Sequence, residues 1–190
     1  MPYKVPEWIS TSRLELVKVT IEDWPSLHNF YKDVEATRYT TGRPLSEGES
    51  WRIVAALIGH WEIHGYGPYT LKLKDSGTVV GVVGLWYPGD WPEPEIMWSL
   101  IPGFSGQGYA QEAALAVRQM AAEYLPELHL ISLIFEQNLP SRKLAEVLGA
   151  TLETRFLFRD KEALIYRHLA PFDTGQGDAC EYTDQCDQAV

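Results

Sequence analysis

One stretch limits more than any other what this chain can fold into: Pro102-Gly-Phe-Ser-Gly-Gln-Gly-Tyr-Ala-Gln-Glu-Ala-Ala-Leu-Ala-Val-Arg-Gln-Met120. It begins as a run of small residues and passes directly into an alanine-rich helical pattern, and the strand-like Glu95-Ile-Met-Trp-Ser-Leu-Ile101 precedes it. Strand, tight turn and helix N-terminus in that order leave the first N–H groups of the helix without intrahelical partners. They also aim the positive end of the helix dipole at the turn. Glycines let a ligand approach such backbone closely, and the ligand it favours is a phosphate or pyrophosphate.

Spacing removes three loops of related design. A Walker loop ends in Gly-Lys-Ser/Thr, and no lysine is present. A Rossmann fingerprint starting at Gly106 needs a small residue where Gln111 stands, which leaves a nucleotide-dependent oxidoreductase without support. A nucleophile elbow around Ser105 needs glycine where Gln107 stands. What remains, Ser105-Gly106-Gln107-Gly108-Tyr109-Ala110, resembles the pyrophosphate loop Arg/Gln-x-x-Gly-x-Gly/Ala of the GCN5-related N-acetyltransferase (GNAT) family, with Ser105 at the Arg/Gln position. The run Gly-Gln-Gly-Tyr-Ala-x-Glu-Ala-Ala is similar to the branch of ribosomal-protein N-terminal acetyltransferases. Taken alone, the loop also suits a tight turn capping an ordinary core helix. A second segment, Asn138-Leu-Pro-Ser-Arg-Lys-Leu-Ala-Glu-Val-Leu-Gly149, resembles the family's Asn-x-x-Ala/Ser-x-x-Leu-Tyr-x-x-Leu-Gly-Phe. It departs at Ala145, where many members carry tyrosine.

The rest of the chain reads as alternating elements. Ser12–Val19 alternates apolar and polar residues as a half-exposed strand does. Thr20-Ile-Glu-Asp23 and Ser46-Glu-Gly-Glu49 are capping boxes, the first for a helix toward Tyr31. The second opens a helix with Trp51, Val54, Ala55, Ile58 and Trp61 on its apolar face, stopped by Gly65–Pro68. Tyr69–Lys74 and Val79–Tyr87 form a hairpin, the latter apolar enough to be central. Leu128–Phe135 is a further strand, Arg142–Leu148 a short helix closed by Gly149, and Leu152–Phe158 with Ala163–Leu169 a final hairpin. The order is α/β with a mixed sheet.

The resemblance spans about residues 10 to 170. It implies the GNAT fold: a strongly bent mixed sheet of six to seven strands, helices on both faces, and a cofactor cleft where the fourth and fifth strands splay. Residues 1–170 are then an acetyltransferase domain. Acetyl-coenzyme A is the implied cosubstrate. Its pantetheine would pair with the backbone of Trp98, Ser99 and Leu100, and its pyrophosphate would sit on the N–H groups of Gly106, Gln107, Gly108, Tyr109 and Ala110, beside Ser105. Asn138 would hydrogen-bond the pantetheine and Ser141 would reach the sulfur, although both residue types also favour helix starts. Arg142 or Lys143 either meets the 3′-phosphate or faces solvent. With Ala145 unable to act as an acid, Ser141 is the substitute. Glu95, at the start of the fourth strand, is the candidate base. The acceptor is a primary amine, on a small molecule or a protein N-terminus, walled by some of Tyr39, Arg43, Trp51, His60 and Tyr66. A non-catalytic acyl-coenzyme A sensor is the alternative, and the family allows a homodimer.

Charge narrows the partners. The net charge of −10 includes Asp173, Asp178, Glu181, Asp184 and Asp187 in a tail, residues 171–190, whose composition predicts disorder. So acidic a chain disfavours nucleic acid, and a cationic acceptor is drawn to it. No apolar run is long enough to span a bilayer and the N-terminus lacks a secretory core, so a cytoplasmic protein is expected. Cys180 and Cys186 have no histidine nearby, and His60 with His64 lack a third ligand, so no metal site is predicted. His129 and His168 are read as structural.

Overall fold

Apolar alternation from Leu14 to Lys18 and the long apolar run from Val79 to Trp86 set the frame. A computed structural model describes residues 4–169. The acidic tail, with Cys180 and Cys186, lies outside the described residues. The strands are β1 (Trp8–Ser10), β2 (Leu14–Lys18), β3 (Pro68–Leu73), β4 (Val79–Trp86), β5 (Glu95–Leu100), β6 (Ile131–Phe135), β7 (Thr151–Phe158) and β8 (Lys161–Arg167). They make one eight-stranded sheet in the order β1-β2-β3-β4-β5-β6-β8-β7, in which β5 and β6 form the parallel pair. The family resemblance implies six or seven strands. The additional one, Trp8–Ser10, is three residues pairing with β2 at the sheet edge, too short for alternation to reveal.

The helices are α1 (Trp24–Tyr31), α2 (Val34–Thr37), α3 (Glu47–His64), α4 (Tyr109–Tyr124) and α5 (Leu139–Val147). β4 is buried along both faces, which requires a layer on each side of the sheet. α1 packs on α3 and on β4, while α4 covers β2, β4 and β5 and α5 lies against β6. β4 approaches β5 so tightly at Gly81 that an added Cβ would overlap the Ser99 carbonyl oxygen. The strand that borders the cleft is therefore pressed against a glycine.

Both capping boxes form, Thr20 with Asp23 and Ser46 with Glu49. The first opens a 3₁₀ turn (Ile21–Asp23) that leads into α1. Asp23 has a second task. Its buried carboxylate accepts the Thr70 hydroxyl at 2.8 Å and the Thr20 N–H at 3.0 Å, and pairs with the Lys72 ammonium at 3.0 Å. The inward face of α3 differs from the predicted one. Ser50, Val54, Leu57, His60 and Trp61 are buried, and Trp51 is 47% exposed. Ser50 takes the inner position because its hydroxyl accepts the Trp24 indole N–H at 3.1 Å and meets His28 Nδ1 at 2.8 Å. Two boundaries also move. β6 starts at Ile131 because residues after α4 turn, Leu128 N–H donating to the Leu125 carbonyl, and α5 starts at Leu139 because Asn138 caps it. Among the described residues no helix is long and apolar enough to cross a membrane.

Candidate active site

β5 and β6 touch at one register pair, Glu95 with Ile131, and then part. Side chains end the ladder. Ile131 N–H still reaches the Pro94 carbonyl at 3.0 Å, but the next amide, Leu133 N–H, donates to Glu95 Oε2 at 3.0 Å. Ser132 Oγ donates to the Ile96 carbonyl at 2.9 Å and meets His168 Nε2 at 2.9 Å. By the two-residue alternation of a strand, the backbone groups of Trp98 and Leu100 then face the gap, while Met97 and Ser99 pair with β4. The parting leaves a free strand edge inside the molecule.

Beyond that edge lies the glycine loop. Gly106 and Gly108 have φ of 77° and 81°, the left-handed region that favours glycine, and Gly108 caps α4. The N–H groups of residues 105–111 meet no acceptor among the described residues; the first helical bond is Glu112 N–H to the Gly108 carbonyl. Ser105, Gly106, Gly108 and Ala110 line a cleft of about 750 Å³. The side chains of Gln107 and Tyr109 turn away from it: Gln107 Nε2 donates to the Gly103 carbonyl, and Tyr109 lies under Arg13. An anion in the cleft would meet a row of unsatisfied N–H donors at a helix N-terminus.

Trp98, Ser99, Leu100, Asn138, Ser141 and Lys143 line the same cleft. Asn138 Oδ1 accepts the Ser141 N–H at 3.4 Å as the N-cap of α5, which leaves the amide nitrogen of Asn138 uncommitted. The Ser141 hydroxyl accepts the Trp98 indole N–H at 3.1 Å. Trp98 packs on a cluster of Ile134, Ala145, Leu164 and Tyr166, and Ala145 is wholly buried there. Between Arg142 and Lys143 the geometry decides. Arg142 donates to the Tyr166 hydroxyl at 3.1 Å and to the Glu136 carbonyl at 3.2 Å, and Lys143 is the one on the cleft.

A second cavity, about 460 Å³, adjoins the first and shares Trp98, Ser99, Asn138 and Ser141 with it. Glu95 lines only this second one. Its carboxyl is 7% exposed, and burial pushes its pKa up to about 7 against the pull of the Leu133 N–H and the nearby Trp91 indole. The Trp91 N–H is itself buried and completes no hydrogen bond. A carboxyl poised there exchanges protons near neutrality, as a general base must.

Residues 13–151 match the acetyltransferase (GNAT) domain family. The chain belongs to that family. The acetyltransferase is 23% identical over 149 residues to an uncharacterized N-acetyltransferase, YnaD, of Bacillus subtilis, covering 78% of this chain and 85% of that one. An acetyltransferase structure from Agrobacterium tumefaciens aligns with a TM-score of 0.78 and 32% identity, covering 87% of this chain and 95% of the other. RimL, a ribosomal-protein α-N-acetyltransferase solved in complex with coenzyme A, shares the fold at a TM-score of 0.71 and 19% identity, over 86% of this chain and 98% of that chain.

Not every residue named from sequence lies at the acetyltransferase's cavities. Of the predicted acceptor wall, Tyr39 lines both. Arg43 is held by Glu49 through a 2.5 Å ion pair, and Tyr66 is buried beneath His60. His60 is structural: its Nδ1 donates to the Tyr66 carbonyl and its Nε2 accepts the Tyr87 N–H, both at 2.9 Å. Neither nitrogen is free for a metal. His168 is structural, as its alternation with apolar residues suggested, and it meets the Ser132 hydroxyl, whereas His129 is exposed ahead of β6.

Sequence reading missed what holds the loop. Arg13 donates from Nη1 to the Gln107 carbonyl at 2.9 Å and from Nε to Glu112 at 2.7 Å, and Glu112 also accepts the Thr11 hydroxyl at 2.6 Å. These contacts brace the glycine turn from behind, so its N–H groups are aimed before any ligand arrives. The only signal was Glu112 in the first turn of the helix, which reads equally as a dipole partner. Substituting Gly108→Val places a β-branched residue at φ 81°. At roughly 1–2 kcal/mol of backbone strain, coenzyme A should bind about tenfold or more weakly. Isothermal titration checks this, and unaltered affinity would remove the loop from the site.

Proposed function

We propose that residues 1–170 form a cytoplasmic enzyme that moves the acetyl group of acetyl-coenzyme A to a primary amine, by direct attack in a ternary complex. The observation that carries this reading is the order of groups across the two cavities. Unpaired N–H donors stand at the far end of the first, Ser141 at the junction, and the buried Glu95 in the second. A cofactor with its pyrophosphate on residues 106–110 and its pantetheine along Trp98 and Leu100 brings its thioester to the junction, opposite an amine that enters past Glu95. The coenzyme A complex of the RimL relative supports the choice of cofactor.

The chemistry follows from those places. The amine nitrogen attacks the thioester carbonyl carbon, and the electrons of the C=O bond move to oxygen, stabilised by a gap-facing N–H of β5. Glu95 takes the proton from the attacking nitrogen, directly or through one water. The tetrahedral adduct collapses by breaking the C–S bond, and the Ser141 hydroxyl hydrogen-bonds the departing thiolate. Trp98, by donating to Ser141 Oγ, turns the hydroxyl hydrogen away from itself and leaves it for sulfur. Alignment of the two reactants supplies much of the rate.

The test is release of free thiol from acetyl-coenzyme A in the presence of a broad amine panel. No release from a protein that binds the cofactor would defeat the reading. Trp98→Phe keeps the ring and deletes the donor. At about 1 kcal/mol for one hydrogen bond, kcat should fall about fivefold with KM for acetyl-coenzyme A little changed. A rise in KM alone would make Trp98 a wall and not a positioning residue for Ser141.

A further inference from the structure

The second cavity has walls selective enough to describe its occupant, given the reading above that the acceptor amine enters there. Its body is aromatic: Phe30, Trp86, Trp91, Trp98, Phe135 and Phe158 line it, joined by Ile53, Leu57 and Met97. Three charged side chains reach it, Glu95 inside and Arg159 and Lys161 from exposed positions at the rim. Arg159 is already committed. It donates to Asp90 at 3.0 and 2.6 Å, and its guanidinium lies 5.1 Å from the Trp91 ring centroid and 4.9 Å from that of Phe158. Lys161 makes no ion pair among the described residues; its ammonium stands 5.5 Å from the Phe135 ring centroid.

The two kinds of charge are set apart along β6. Glu95 is held by the Leu133 N–H, and Phe135, under Lys161, is two residues farther on, roughly 7 Å of strand. A substrate that uses both ends carries its amine at one end, an apolar body across the rings, and a negative group at the other. A polyamine would place a second cation against Lys161 and leave the aromatic walls uncovered. A polar peptide N-terminus would leave those walls uncovered too.

We propose that the acceptor is a small aromatic or similarly apolar primary amine bearing an anionic group, carboxylate, phosphate or sulfonate, at the end distant from the nitrogen, with Lys161 as its specificity-determining residue. The buried aromatic body supplies affinity, because removing its apolar surface from water is favourable. Lys161 supplies discrimination, modest because an exposed charge is screened.

Thiol release from acetyl-coenzyme A, measured on the full chain with five amines, tests this. The ratio kcat/KM should be highest for 4-(2-aminoethyl)benzoate, about fivefold to tenfold above phenethylamine. Phenethylamine in turn should exceed ethanolamine at least tenfold. Spermidine and a serine-initiated peptide should rank below both aromatic amines. In K161M the advantage of the benzoate over phenethylamine should shrink to within twofold, a ratio in which any general loss of folding or cofactor affinity cancels. If spermidine or the peptide ranks first, or if the two aromatic amines are equal in the native protein, the proposal is overturned while amine acetylation stands. An advantage that persists in K161M overturns the role of Lys161. If no amine releases thiol although the cofactor binds, it is the reading of the site as an amine acetyltransferase that falls.

Discussion

Glu95→Gln is expected to lower kcat about 100-fold while raising stability at alkaline pH. The loss follows from the base role proposed for Glu95, since general-base catalysis commonly contributes about two to four orders of magnitude. The wild-type rate should climb through about pH 7, where burial places the carboxyl, and the variant should lack that limb. The stability gain has the opposite origin. With the folded-state pKa near 7 against 4.5 for the free group, the folded protein binds the extra proton between those values. The stabilisation from Glu95 is thus complete below about pH 4.5 and lost as pH rises through 7. A glutamine side chain bears no charge, so the variant should gain on the wild type across that interval, by about 3 kcal/mol at pH 8. His60 and His168, held neutral by burial with pKa values near 4, stabilise in the other direction as pH rises toward 6.5 and are common to both proteins. The glutamine carbonyl still accepts the Leu133 N–H, so the parting of the strands survives. Thermal melts at pH 5 and pH 8, with a pH–rate profile, check both halves. An unchanged rate and profile would move the base elsewhere.

Asp23→Ala is the largest structural loss expected. The residue is 3% exposed and its carboxylate satisfies the Thr20 N–H and hydroxyl, the Thr70 hydroxyl and the Lys72 ammonium at once. Alanine leaves the threonine groups unpaired beside a small void while the partly exposed Lys72 ammonium turns to water, at a cost of about 2–4 kcal/mol. For a protein of this size that is about 10 °C in Tm. Urea denaturation measures the free energy directly. A cost below about 1 kcal/mol would mean that water enters and replaces the carboxylate. Asp23→Asn, which still accepts from Thr20 and Thr70, should lose about half as much.

What could be read from the sequence was what backbone chemistry dictates. Gly106 and Gly108 announced themselves because only glycine readily takes their conformations, and Asn138 and Gly149 because a helix must be capped at both ends. The succession of strands and helices along the chain followed from apolar runs and turns. Reading failed where a residue's place depends on a partner distant in the chain. Trp51 looked like core by its helical spacing with Val54 and Trp61, but Ser50 is the buried one, drawn in by Trp24 and His28. His60 looked like part of the acceptor wall until Tyr66 and Tyr87 took both its nitrogens. That Glu95 is both desolvated and the terminator of the β5–β6 ladder is visible only once β6 lies beside it.

The brace formed by Thr11, Arg13 and Glu112 joins residues about a hundred positions apart, and this orders events during synthesis. A nascent chain could pair β1 to β4 early, but Thr11 and Arg13 would lack this partner until α4 had left the ribosome. Only then would the turn take its braced shape. A fragment starting after β2 would keep every motif glycine and lose both Thr11 and Arg13, because the posture of that turn is borrowed from a segment made long before it.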